Sequence, residues 1–157
     1  MSKINSDITR ICDDRCIKIT SLREQVIGIL SRKEEPCSAY EILESLKEHR
    51  HNAEPITVYR VLNFLVANNL VHRLEAQKKY ILCCHPNHGA CQIFICSDCG
   101  KKLEMHDKEI NNMIKKNIAS SDFELTSKSI ELYGHCKKCK SRKNKNALNN
   151  KKSVSDN

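Results

Sequence analysis

The chain has 157 residues, 39% hydrophobic and 29% charged, with ten cysteines, seven histidines and no tryptophan; this suits one ordinary domain or two thin-cored small ones and excludes a wholly disordered chain. No run of about 18 apolar residues exists to span a membrane, and the opening MSKINSDITR has no apolar signal region, so the cysteines are expected to be metal ligands and free thiols of a cytoplasmic protein rather than a disulfide framework. The formal net charge is +8, but residues 137–157 hold eight Lys/Arg and one Asp, so the body is near neutral and charge alone makes no case for nucleic acid.

Ile8, Ile11, Cys12, Cys16 and Ile17 recur at helical spacing and predict a first amphipathic helix over 5–18. Thr20 or Ser21 can cap a second helix striped by Leu22, Val26, Ile29 and Leu30. After Pro36, Ser38 and Glu41 form a capping box for a third helix, with Ala39, Ile42, Leu43 and Leu46 inward. Thr57 is read as the cap of a fourth helix reaching about Asn68, and Val71–Leu74 and Lys79–Leu82 as two short strands. Helices followed by a small hairpin make a winged helix-turn-helix. On the fourth helix Val58, Val61, Leu62, Leu65 and Val66 share one side, and Tyr59, Arg60 and Asn63 the other. A DNA-reading helix needs such a face, a guanidinium above all; a plain solvated face has the same composition.

From Cys83 the character changes. Residues 83–91, CCHPNHGAC, read as a loop or hinge. Ile93–Ile95 is a strand, Cys96–Gly100 a tight turn, and a strand follows to about Met105. Residues 107–119 predict a helix with Ile110, Met113, Ile114 and Ile118 inward, and Phe123–Tyr133 a long strand. This β-β-α-β unit is small for a stable monomer, so dimerisation is expected to cover its edges. The fold class is α+β: a winged-helix domain over 1–82, a ligand-bearing hinge over 83–92, an α/β dimerisation domain over 93–140, and a disordered basic tail over 141–157.

Two CxxC pairs, Cys96/Cys99 and Cys136/Cys139, can give four thiolates to one tetrahedral zinc. Redox chemistry would want one CxxC at a helix N-terminus, whereas both pairs sit at strand ends. A mixed second cluster, His72, Cys83, Cys84, His85, His88, Cys91 and Glu104, lies where the two units join. Ligands from both sides of a hinge would let a metal lock their orientation. Each has a bland alternative: His72 a phosphate contact, Cys84 a bystander thiol, Glu104 a solvated residue.

The run Pro55–Leu65, with Val71-His72, Tyr80–Cys83, Phe94–Gly100 and Glu131–Cys136, resembles the ferric uptake regulator family of bacterial metalloregulators. The resemblance implies a homodimer, a structural four-cysteine zinc site at Cys96, Cys99, Cys136 and Cys139, and a regulatory metal site whose filling permits binding to double-stranded DNA. The thiol Cys83 at the regulatory position points to the zinc uptake branch, since mixed S/N/O ligation suits zinc over iron(II); Asn111 and Lys128 stand where iron sensors have ligands. The branch's ligand pattern maps to His72, Cys83, His88 and Glu104. His88 lies eight residues before Cys96 where the branch typically has seven, which leaves Cys91 or His85 as alternatives. Tyr40, Thr57, Tyr59, Arg60 and Asn63 are carried over as DNA contacts, and Glu44 and Lys47 as a pairing between two dimers on one operator. The family's Pro after the first Thr of the second helix is Ser21 here. The resulting expectation is a zinc-responsive repressor of zinc-uptake genes with AT-rich palindromic operators and two zinc ions per protomer. An iron- or peroxide-sensing regulator is the runner-up. A thiol oxidoreductase lacks a placed general base, and a zinc buffer would not need an exposed Tyr40 and Arg60.

Overall fold

A computed structural model describes residues 3–86, 90–123 and 129–143. Along the chain run α1 (Lys3–Asp14), α2 (Ser21–Arg32), β1 (Cys37–Ser38), α3 (Ala39–Lys47), α4 (Pro55–Ala67), β2 (Val71–Leu74), β3 (Lys79–Leu82), β4 (Cys91–Cys96), β5 (Lys102–Met105), α5 (Lys108–Ala119) and β6 (Ser129–Gly134).

The winged helix forms as its sequence dictates. Ser38 accepts from the Glu41 N–H while the Glu41 carboxylate accepts from the Ser38 N–H, completing the capping box of α3. Helix α4 begins three residues earlier than expected. Glu54 is its N-cap and Pro55 its first residue, because proline has φ pre-set and no N–H to satisfy there; Thr57 is therefore not the cap. The helix ends in a Schellman motif. Asn69 sits at φ 56°, its N–H reaches the Val66 carbonyl, and the Leu70 N–H reaches that of Leu65, both at 2.9 Å. Val58, Val61, Leu62 and Leu65 of α4 are buried as read. They join Val26, Ile29, Leu30, Ile42, Leu43 and Leu46 in one core, with α1 packed on it through Ile8, Ile11 and Cys12. The Arg23 guanidinium lies over the Phe64 ring at 3.3 Å, tying α2 to α4. Helix α1 stops at Asp14 rather than 18, since Cys16 takes φ 54° and turns the chain.

The wing has three antiparallel strands in the order β1-β3-β2, the short β1 being one that the sequence pattern did not reveal. Side chains of a strand alternate between faces. Val71, Tyr80 and Leu82 enter the helical core, while Leu74, Ile81 and Cys83 pack with Cys91, Ile93 and Ile95 of β4 in a second, smaller core. The wing is thus the layer between the helices and the second sheet. That sheet runs β5-β4-β6, with β4 antiparallel to β5 and parallel to β6. The Glu131 carboxylate accepts from the Glu75 N–H of the wing turn at 2.8 Å, and the Lys102 ammonium donates to the Lys33 carbonyl at the end of α2.

Five expectations need correction in this half. Strand β4 starts at Cys91, so Cys91 and Gln92 belong to the sheet and not to the hinge. The stripe of α5 is not inward: Met113 is 64% and Ile110 41% exposed, and the one buried residue of the helix is Asn111. Its amide donates to the Asp107 carbonyl, while Ile114 and Ile118 are half-buried. The last strand is observed only from Ser129; Phe123 is exposed coil, and residues 124–128 lie outside the described residues. Residues 137–143 are helical, so Cys136 and Cys139 lie at a helix N-terminus rather than at a strand end and the first three residues assigned to the tail belong to that helix, while residues 144–157 lie outside the described part.

Candidate metal centres and nucleic-acid face

The turn after β4 and the segment after β6 bring Cys96, Cys99, Cys136 and Cys139 together, with all four sulfurs within 4.8 Å of one another. Gly100 closes the turn at φ 70°, and its N–H reaches the Cys96 carbonyl at 2.9 Å. The Cys136 N–H donates to the Cys96 sulfur at 3.3 Å. That bond, with others from neighbouring amides, lowers the Cys96 thiol to about 6, while hydrogen bonds from Cys136 and Cys99 push Cys139 up to about 12. No pair among the ten cysteines is a disulfide, and four thiols with amide support fit tetrahedral zinc. Asp98, from the first pair's turn, holds His135 at 2.9 Å and Lys143 at 2.8 Å, both from the second pair's side. This brace involves Lys143, a tail residue for which no structure was expected.

The second cluster forms by strand parity. His72 on β2 and Cys83 just after β3 face β4, and Cys91 on β4 faces back in register with the wing-facing Ile93 and Ile95. Glu104 stands directly opposite Ile93 across β4 and β5, so its side chain shares that face. The four donor atoms lie within 4.8 Å of one another. One oxygen of Glu104 is 3.3 Å from His72 Nε2 and 3.4 Å from Cys83 Sγ; the Cys84 N–H donates to the carboxylate at 3.1 Å. The side chains of His72 and Glu104 are 9% and 5% exposed. Burial alone would push the Glu104 carboxyl up, but the hydrogen bond and charge of His72 hold it at about 2. Burial would likewise lower His72, yet hydrogen bonds to Cys91 and Glu104 lift it to about 9. A hydrogen bond from Cys83 lowers the Cys91 thiol to about 6, and the same bond, with burial, pushes Cys83 up. Four donors from the wing and the second sheet thus meet in one cluster whose geometry could hold a metal ion.

Of the sequence candidates, His72, Cys83, Glu104 and the alternative Cys91 are brought together. His88 lies outside the described residues, and the His85 ring lies tilted beside that of His106, with centroids 6.4 Å apart.

On the opposite side of the winged helix, Tyr40 is 69% and Tyr59 51% exposed, with Arg60 and Asn63 exposed and Thr57 half-buried. Ile56, also largely exposed, was missed. It lies at the N-terminal turn of α4, where an apolar residue facing solvent is the available signal. Glu44 and Lys47 pair with each other at 3.1 Å on α3.

A winged helix joined through its wing to a second sheet, with a buried thiol, imidazole and carboxylate cluster at the joint, has the build of a metal-dependent winged-helix regulator. The chain belongs to the ferric uptake regulator family, whose profile matches residues 14–133. It is a transcriptional regulator of that family, not an enzyme. It is 33% identical to the zinc uptake regulation protein of Escherichia coli over 133 residues, 83% of this chain and 77% of that one. A solved zinc uptake regulator complexed with zinc and DNA superposes with a TM-score of 0.80 at 29% identity, covering 90% of this chain and 95% of that one. A third relative, XcZur, is matched in two states: the holo crystal structure at TM-score 0.77 and 29% identity, covering 87% and 96%, and the apo structure at 0.51 and 30%, covering 87% and 95%. The chain superposes better on the holo structure than on the apo one. Among the described residues no helix is long and apolar enough to cross a membrane.

Proposed function

We propose that the protein is a zinc-responsive transcriptional repressor that works as a homodimer in the cytoplasm, binding AT-rich palindromic operators of zinc-uptake genes. The observation that carries this reading is Cys83: a buried thiol beside His72 and Glu104, at the seam between the DNA-binding half and the second sheet. Iron- and peroxide-sensing relatives are expected to use nitrogen and oxygen donors there, and a thiol tilts the set toward zinc. Two zinc ions per protomer follow, one structural at Cys96, Cys99, Cys136 and Cys139, one regulatory at His72, Cys83, Glu104 and a donor from residues 83–92. The regulatory ion supplies a fixed positive centre that joins donors of the wing to donors of the second sheet. His72 and Cys83 hold the wing side, and Glu104 holds the sheet side. With the two halves fixed, two α4 helices of a dimer would meet successive half-sites. Arg60 would read guanine, Tyr40, Tyr59 and Asn63 would contact bases or phosphates, Thr57 would face the backbone, and Glu44 and Lys47 would pair between dimers. Residues up to 82 form the DNA-binding part, 83–90 the ligand-bearing hinge and 91–143 the dimerising part, with 144–157 as a basic tail.

A gel shift against AT-rich palindromic duplexes tests this directly. The wild type should bind with zinc and release on mild chelation. Cys83→Ser should keep the structural zinc and the dimer, lose one metal per protomer and lose the zinc response. Zinc-independent binding by the wild type would remove the proposal, and activation by iron(II) but not zinc would restore the alternative reading.

A further inference from the structure

We propose that Cys91 is the fourth ligand of the regulatory site, giving it two thiolates, one imidazole and one carboxylate, so that it takes thiophilic divalent ions, cadmium as well as zinc, and discriminates against iron(II). The inference rests on the regulatory-site reading above and deepens it.

The placement of Cys91 carries the argument. It is the first residue of β4, 1% exposed, and its side chain shares the wing-facing side of the sheet with Ile93 and Ile95. Its sulfur lies within 4.8 Å of the donors of His72, Cys83 and Glu104. The contacts of 3.3 and 3.4 Å that one Glu104 oxygen makes with His72 and Cys83 already match the edge of a zinc tetrahedron, about 3.3–3.8 Å for bonds of 2.0–2.3 Å. Four donors complete such a site. A strand residue paired with Ser129 across the parallel ladder holds its sulfur in place without ordering a loop. Two ligands then come from the wing, His72 and Cys83, and two from the second sheet, Cys91 and Glu104. The ion would join two rigid layers directly, one thiolate on each.

The donor chemistry sets the ion. Thiolates favour soft, polarisable cations, whereas iron(II) and manganese(II) stand low in the affinity order and prefer nitrogen and oxygen donors. A second thiolate moves the site further in that direction than Cys83 alone. Cadmium, softer than zinc and content with the same four donors, becomes a ligand of the site.

The test uses the full-length dimer with zinc kept in its four-cysteine cluster, titrated with cobalt(II) and with cadmium(II) alone. Thiolate-to-metal charge-transfer absorption counts the sulfurs. The wild type should show two thiolates per added ion and should shift operator DNA with cadmium as with zinc. His88→Ala should keep both bands. Cys91→Ser and Cys83→Ser should each halve them, and Cys91→Ser should lose more cadmium affinity than the roughly 10–100-fold typical of losing an outer-shell partner. A one-thiolate spectrum in the wild type, or loss of the ion in His88→Ala with full retention in Cys91→Ser, overturns the proposal. Because Cys91 is buried, circular dichroism and structural zinc content must match wild type before a variant is read; should Cys91→Ser fail there, the wild-type spectrum decides alone. The two readings fail separately. A two-thiolate spectrum with metal-independent DNA binding keeps this ligand set and removes the regulatory role. Zinc-dependent DNA binding with a one-thiolate spectrum does the reverse.

Discussion

The two halves of the chain solve the problem of burial in different ways. Ten of the twelve largest fully buried side chains, from Val26 to Ile81, lie in the helices and wing; only Ile93 and Ile95 lie in the second half. The second half instead exposes Phe94, Leu103, Met105, Met113 and Leu132. In the first half, the exposed large apolar residues are Tyr40, Ile56 and Tyr59, all on the proposed DNA face. An exposed apolar residue therefore has two meanings here. On a half with a complete core it marks a surface that reads something. On a half without one it marks surface awaiting another chain. The second half instead carries candidate metal clusters at both ends: the four cysteines beyond β4 and β6, and the mixed cluster against the wing.

The largest expected effect breaks this difference at its metal. Cys96→Ser should remove the structural ion and unfold the second half, since structural zinc contributes on the order of 10–16 kcal/mol of apparent binding energy to small zinc domains. The helices of the first half should survive. Metal analysis, sizing and circular dichroism check this, and a dimeric, fully folded Cys96→Ser protein would sink the structural assignment. Next in size is a matched pair of truncations. Leu62→Ala in the first core should cost about 2–5 kcal/mol of stability by denaturant titration. Met113→Ala, with its side chain in solvent, should change protomer stability by less than about 0.5 kcal/mol and show itself only in dimer dissociation, read by sedimentation. Equal stability losses from the two would mean that the halves share one core.

Arg60→Ala is smaller and tests the other meaning of exposure. It should leave metal content and dimer intact and weaken operator binding by about 1–3 kcal/mol, with relaxed preference at one base pair. An equal loss on operator and random duplex would make Arg60 a phosphate contact instead.

How far the sequence revealed these things depends on periodicity and on partners. The capping box at Ser38, the stripe of α4 and both wing strands follow local rules, and each appears where those rules place it. The two-residue β1 is too short to show a period. The α5 stripe was legible, but its direction was not, because a pattern says that a face wants cover and not which chain supplies it. At the mixed cluster, the branch's ligand pattern pointed to His88 with Cys91 as an alternative, and starting β4 at Cys91 rather than Ile93 puts Cys91 on the face of Ile93 and Ile95. The Asp98–His135–Lys143 brace joins residues far apart in sequence, and no local signal announces it.

The smallest effect concerns the local rules themselves, and it can be set against a near-identical helix start that lacks the bonds. At α3 the Ser38 hydroxyl accepts from the Glu41 N–H at 3.2 Å and donates to the Glu41 carboxylate at 2.7 Å. At α2 the N-cap Thr20 makes no side-chain cap bond. Ser38→Ala should therefore cost about 1 kcal/mol at neutral pH, and Thr20→Ala only a few tenths. The pH dependence separates the two further. Hydrogen bonds from the Ser38 N–H and hydroxyl hold the Glu41 carboxyl below its ordinary value of 4.5. A carboxyl lowered by folding contributes stability that is present above its unfolded value and lost as pH falls through the folded one. The gap between wild type and Ser38→Ala should thus be widest near pH 7 and narrow below about pH 4.5, as the protonated carboxyl gives up the charge-assisted part of its bond to Ser38. The Thr20→Ala gap should be flat across that range, since no carboxylate accepts from Thr20. Denaturant midpoints for the two variants at pH 7 and pH 3 decide it: a flat Ser38→Ala gap would show that the hydroxyl bond to the Glu41 carboxylate adds nothing beyond the bond from the Ser38 N–H, which alanine keeps.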